Sequence, residues 1–199
     1  MARPRARDFE EKRHILLVEA AQVFATQGME RASMSQIAAA AGVSKSLLYH
    51  YYPSKDALIF AIIATHLEAL DAALEEADDP LLEPRARLRR LVGTVLESYR
   101  GADDFHKVQL NAADALPDAE RAAIRTLERR IVRRVSAVFV TLRPDLASGE
   151  PALLMPVTMT LFGMLNWVYM WFRDDGALTR EAYAEIATGL MLDGVAGLK

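Results

Sequence analysis

Residues 33–52 constrain this chain more than any other stretch, because they call for two short helices set about one tight turn. Ser33 with Gln36 three residues later is a capping box, and the helix it opens has Met34, Ile37, Ala38 and Ala41 on its apolar side. Gly42-Val43-Ser44 breaks that helix. Ser44 then caps a second one through Leu47, Leu48, Tyr49 and Tyr52, which Pro53 ends. Ile37, Ala38, Val43 and Leu48 can lock the pair from within, Ala38 being small enough for close approach. The outer face of the second helix is left polar, which is the pattern of a helix-turn-helix.

The rest of the chain also reads as helix, since no run alternates polar and apolar residues. Asp8 with Glu11 makes a capping box for a first helix, striped by Leu16, Ala20, Val23 and Phe24 and stopped at Gly28. Ser54 caps a fourth helix carrying Leu58, Ala61, Ile62 and Thr65. Residues 77–84 are acidic, hold two prolines and read as a loop. Further helices are expected over 84–100 and 104–115, and from Leu116-Pro117-Asp118 to Arg143-Pro144. An uncharged eighth follows Pro151. Thr179 caps a ninth, with Tyr183, Ile186, Ala187, Leu190 and Gly194 as its stripe. The expected fold is all-α, with about nine helices: a helix-turn-helix head over 1–55 and a helical body over 56–199.

Composition narrows the function. With 52% hydrophobic residues the chain can bury a core, and with no cysteine it has no disulfide, thiolate metal site or cysteine nucleophile, which suits a cytoplasmic setting. The net charge of −3 conceals a division. Residues 1–55 hold eight Lys or Arg against five Asp or Glu, a net +3, and the remainder carries −6. A basic head on an acidic body suits a protein whose first quarter meets phosphate. The basic start Met1–Arg7 has no apolar run after it, so no secretory signal is expected. Residues 152–172 carry no charge and are long enough to span a bilayer, but Pro156, Thr158, Thr160 and Asn166 interrupt them. A buried or pairing helix explains the stretch as well.

An enzyme is the main rival reading. Ser, His and Asp are present, but there is no Gly-x-Ser-x-Gly elbow, and His14, His50, His66 and His106 form no i, i+4 metal pair. Neither a metal nor a cofactor is expected. A membrane-bound adaptor built on residues 152–172 is the second rival.

The run Ile37-Ala38-Ala39-Ala40-Ala41-Gly42-Val43-Ser44-Lys45-Ser46-Leu47-Leu48-Tyr49-His50-Tyr51-Tyr52-Pro53-Ser54-Lys55-Asp56-Ala57-Leu58 resembles the DNA-binding segment of the TetR family almost position for position. That family usually has Gly or Pro at Ser46, a small polar residue at Leu47 and Phe at Tyr52, departures that touch base preference more than docking. The likeness is strong over about residues 10–60 and elsewhere covers helix order and length. It implies that Ser33, Ser35 and Gln36 approach DNA from the start of the second helix. Ser44, Lys45, Ser46 and Leu47 would open the reading helix in the major groove. Tyr49, His50, Tyr51 and Lys55 would hold phosphates or sugars. Lys45 is the first choice for a base contact, since Lys donates to guanine O6 and N7. Arg3, Arg5 and Arg7 would add phosphate or minor-groove contacts.

The resemblance further implies a homodimer through the last two helices, reading a palindromic operator in double-stranded DNA. Helix 8 is apolar all round, and Gly163 and Gly189 allow close approach; the same stretch also suits a central core helix. The stretch Asn166–Gly176 is similar to members that answer to acyl-CoA thioesters. Those often carry Trp-Tyr-Arg-Pro before the Gly, where this chain has Phe172 and Asp174. A small hydrophobic or acyl-CoA-type effector is therefore expected, against Met155, Met159, Phe162 and Met170, with His106, Gln109, Asn111 and Asn166 as polar contacts. Arg121, Arg125, Arg129 and Arg133 recur every four residues beside Arg130 and Arg134. Such a stripe is commonly a solvated, ion-paired face, and it could alternatively hold CoA phosphates.

Overall fold

The computed structural model describes the backbone of residues 3–198 and the side chains of residues 9–198. Among the described residues there are ten α-helices, two 3-10 turns and no strand, so the all-α expectation holds. The chain divides into two compact units. One comprises the chain up to Glu68 together with Ala102–Thr126, and the other comprises Ala69–Gly101 with the chain from Leu127 on.

The first unit contains α1 (Arg3–Gln27), α2 (Met34–Ala40), α3 (Lys45–Tyr51), the first part of α4 (Lys55–Ala77), α6 (Asp103–Ala112) and the start of α7 (Asp118–Leu142). α1 starts at Arg3, so Asp8 lies inside it rather than capping it. The helix stops where foreseen, with Gly28 at φ +84° donating back to the Phe24 carbonyl at 2.9 Å. Leu16, Ala20, Val23 and Phe24 are all buried, joined by Leu17 and Ala21, and α1 packs on α2 and α6. Burying four such side chains is worth on the order of 1.5–3 kcal/mol each for the larger ones, which holds the short α2 in place.

The second unit is built on α5 (Pro84–Ser98), α9 (Leu154–Asn166) and α10 (Arg180–Ala196), with the later parts of α4 and α7 and the short α8 (Asp145–Ser148). Pro84 takes the first position of α5, where its missing N–H costs nothing, and Glu83 accepts from the amides of Arg85 and Ala86 at 2.9 and 3.3 Å. α10 packs mainly on α5, and its Ala184, Ala187, Met191 and Val195 are buried. The uncharged stretch 152–172 is not one helix. It breaks after Asn166 into a 3-10 turn, Val168–Met170. α4 is instead the helix long and apolar enough to cross a bilayer, but more than half of its apolar window is buried within the chain and it carries His66, Glu68 and Asp71.

Candidate nucleic-acid interface

The helix-turn-helix forms as its caps dictate. The Ser33 amide donates to Gln36 Oε1 at 2.9 Å while the Gln36 amide donates to Ser33 Oγ at 3.3 Å, closing the capping box. α2 ends in a turn at Gly42, whose φ of +64° a residue with a Cβ takes only with strain. The Val43 amide donates to the Ala38 carbonyl at 2.9 Å, which fixes the turn's exit. Ser44 Oγ then accepts from the Leu47 amide at 3.1 Å and starts α3. Met34, Ile37, Ala38 and Leu48 are buried and lock the two helices, while Val43 is half-buried.

With Leu48 held inward, Ser44, Lys45, Ser46, Leu47, Tyr49 and His50 stand exposed around α3, and Ser33, Ser35 and Gln36 stand exposed at the start of α2. The Lys45 ammonium lies 5.8 Å from the centre of the Tyr49 ring, within cation–π range. Tyr51 is half-buried and stacks on Phe9 of α1 at 4.7 Å, with His50 edge-on to it at 5.7 Å. That stack ties the early part of α1 to the end of α3, a link no sequence periodicity exposes. Tyr52 is the inward aromatic. Burial pushes its hydroxyl above the usual range, and Arg13 pulls it back in part. Lys55 is half-buried in the free chain. Its ammonium donates to the Met29 carbonyl at 2.7 Å and lies 3.5 Å from those of Glu30 and Ala32. The side chains of Arg3, Arg5 and Arg7 fall outside the described residues.

The residues selected for an effector fall in both units. In the first, His106 is buried against His66, Gln109 is half-buried, and Asn111 is exposed and donates to the Lys107 carbonyl at 2.7 Å. In the second, Phe162 is buried, and Asn166 accepts from the Tyr99 hydroxyl at 2.9 Å. Met155, Met159 and Met170 are exposed there, at 59%, 47% and 57%. An open groove of about 540 Å³ runs between α5 and α10 over Leu82, Ala86, Gly93 and Ala184, and none of the selected residues lines it. The arginine stripe divides as well. Arg121 pairs with Asp118 and Arg125 with Asp114, while Arg130 and Arg134 meet the buried Asp71 at 3.0 and 3.7 Å. Arg129 and Arg133 are exposed and form no salt bridge among the described residues.

Comparison with known proteins decides the family. Residues 16–62 match the bacterial regulatory proteins of the tetR family, and residues 81–195 match the tetracyclin repressor-like C-terminal domain. The chain belongs to the TetR family. It is a helix-turn-helix, DNA-binding transcriptional regulator and not an enzyme. A TetR-family transcriptional regulator from Bordetella parapertussis has a similar structure, with a TM-score of 0.84 and 36% identity over 94% of this chain and 97% of that one. AibR in complex with isovaleryl coenzyme A and operator DNA is similar at a TM-score of 0.77 and 26% identity, covering 90% of this chain and 97% of its own. The transcriptional repressor KstR2 of Rhodococcus jostii is 26% identical over 186 residues, 93% of this chain and 91% of that protein.

Proposed function

We propose that this TetR-family protein is a ligand-responsive repressor that binds a palindromic operator as a homodimer and is released by a small hydrophobic or acyl-CoA-type effector. The observation that carries the reading is the exposed row Ser44, Lys45, Ser46, Leu47, Tyr49 and His50 on α3, held outward by the buried Leu48. Ser33, Ser35, Gln36 and Tyr51 complete the contact set. In the free protein Lys55 is turned to the chain, and reaching a phosphate would require it to leave Met29. The head is residues 1–55 and the body residues 56–199, in a soluble cytoplasmic protein that binds no membrane.

Pairing through α9 and α10 is supported by their free apolar faces. Met155, Met159 and Gly163 follow one another every four residues on α9, with Trp167 next in the series just past its end, as do Ala182, Ile186, Leu190 and Gly194 on α10, and all are exposed. Exposed apolar stripes on two helices in contact meet water poorly and suit a two-fold, self-complementary contact. Met155 and Met159 fit that contact better than a ligand pocket.

The effector reading draws on the similar AibR, whose structure is in complex with isovaleryl coenzyme A and operator DNA. Arg129 and Arg133, exposed and without carboxylate partners among the described residues, suit the phosphates of a CoA. Effector binding would favour a body conformation in which α4 carries the two heads out of half-site register, with a coupling of about 1–3 kcal/mol. The test is to select duplexes from random-sequence DNA on the purified protein, then titrate isovaleryl-CoA into the complex. Selection should return a palindrome and the thioester should release it. Failure to retain any sequence would end the repressor reading, and unaltered release by the Arg129→Ala, Arg133→Ala double variant would remove those two residues from it.

A further inference from the structure

We infer that Leu47 reads a thymine in each operator half-site, by setting its side chain against the C5 methyl group in the major groove. The inference deepens the proposed DNA-binding reading and rests on it.

Leu47 and Leu48 are neighbours on α3, and the fold gives them opposite surroundings. Leu48 is fully buried and locks α3 onto α2, whereas Leu47 is 36% exposed. The Leu47 amide donates to Ser44 Oγ at 3.1 Å, which fixes the residue in the capped first turn. Successive residues of a helix turn by about 100°, so with Leu48 inward it is Ser46 and His50 that face most directly away from α2. Lys45 and Tyr49 then share one flank of that outward face, while Leu47 and Tyr51 share the other. Ser46 is small and lets the helix come close to a groove, so that side chains on the flanks reach base edges. Tyr51 is drawn back onto Phe9, ring to ring at 4.7 Å, which leaves Leu47 as the foremost apolar group of its flank.

The chemistry of the groove then limits what Leu47 can meet. Between Ser33 and Tyr52 the large hydrophobic side chains left exposed are Leu47 and Tyr49. The Tyr49 ring carries a hydroxyl and has the Lys45 ammonium 5.8 Å from its centre. The Leu47 side chain has no polar atom, so it gains from docking only where it meets another apolar surface. Along the major groove the base edges present donors and acceptors, and the C5 methyl of thymine is the apolar group among them. Over any other edge Leu47 would strip water from groups that it cannot satisfy, at a cost in free energy. A gain at one base and a penalty at the others together make a preference. The two-fold symmetry of the proposed homodimer repeats it in each half-site.

The experiment uses the full chain and a duplex selected on the wild-type protein. Each thymine of a half-site is replaced in turn by uracil, which keeps the hydrogen-bonding edge and removes the methyl group. At one of them the wild-type protein should lose affinity about fourfold, or about 0.8 kcal/mol, the worth of one buried carbon. Replacement in both half-sites should cost about fifteenfold. Leu47→Met, which keeps an apolar side chain of similar reach, should show the same loss, and Leu47→Ala should bind the thymine and uracil duplexes equally. Should Leu47→Ala fail to fold, Leu47→Gln is read in the same way. The inference is overturned if no thymine methyl matters to the wild-type protein, or if the loss persists undiminished without the leucine. Selection that returns no duplex would end the DNA-binding reading and this inference with it, whereas a selected duplex with silent methyl groups overturns this inference alone.

Discussion

His66 on α4 meets His106 on α6 edge-on, ring centre to ring centre at 5.7 Å, and both rings are buried. Burial, with the neighbouring His106 adding to it, pushes the His66 pKa down from 6.5 to about 4. Between those two values the unfolded chain takes up a proton that the folded chain refuses. The stability is therefore intact above pH 6.5 and is lost as the pH falls towards 4. Chemical denaturation at pH 7 and pH 5 should differ by about 2 kcal/mol through this group. His66→Gln, which does not titrate, should narrow that difference. An equal pH dependence in the variant would show that the His66 ring is charged as readily in the fold as in water.

Arg180 is a second buried polar group, and it closes the second unit. It donates to the Leu96 carbonyl at 2.6 Å and to both oxygens of Asp174 at 2.8 and 2.9 Å, with its guanidinium 5.0 Å from the centre of the Phe172 ring. Arg180→Met would keep the aliphatic bulk and leave the buried Leu96 carbonyl without this donor. The expected loss is about 2–3 kcal/mol, read as a lowered thermal midpoint. Arg173→Met should be nearly silent by the same measurement, because its pair with Asp175 is exposed on both sides.

The parts of the fold that were legible in the sequence are those governed by local rules. Ser33 with Gln36, Gly42, Ser44 and Gly28 each act through their own backbone neighbours, and each takes the cap or turn its type favours. Faces were harder to assign, because hydrophobic periodicity shows that a face is apolar without showing what covers it. On α10 the expected stripe of Tyr183, Ile186, Ala187, Leu190 and Gly194 is mostly the exposed face, and the core is entered by Ala184, Ala187, Thr188 and Met191. A helix apolar on two sides gives the same reading whichever side is buried. Lys55 shows a further limit. Its carbonyl partners lie 23 to 26 residues away in sequence, and a carbonyl belongs to every residue, so no residue type marks the contact.

The uncovered stripe yields a prediction for assembly. Ile186 and Leu190 are 47% and 63% exposed in the single chain, and neither supports the packing of α10 on α5. Replacing both with Glu would leave the subunit folded while placing charge where the proposed partner docks, a cost of several kcal/mol for unpaired charge at a buried contact. Light scattering after gel filtration should give twice the chain mass for the wild-type protein and the chain mass for the variant, with circular dichroism unchanged. A wild-type monomer would remove α9 and α10 from any pairing role.

Lys45 and Leu48 lie three residues apart on α3 and should separate recognition from stability. Lys45 is exposed beside the Tyr49 ring, and Leu48 is fully buried against α2. Lys45→Ala should leave the thermal midpoint unchanged and weaken operator binding by about 1–3 kcal/mol, relaxing the preference at one base position if the contact is to a base edge. Leu48→Ala should cost about 2–5 kcal/mol of folding stability through lost burial and the cavity left behind. Its loss of DNA binding should track the unfolded fraction as temperature rises. The decisive comparison is binding at a temperature where both variants are folded. There Leu48→Ala should retain most of its affinity and Lys45→Ala should not; the reverse order would place the reading surface on another face of the molecule.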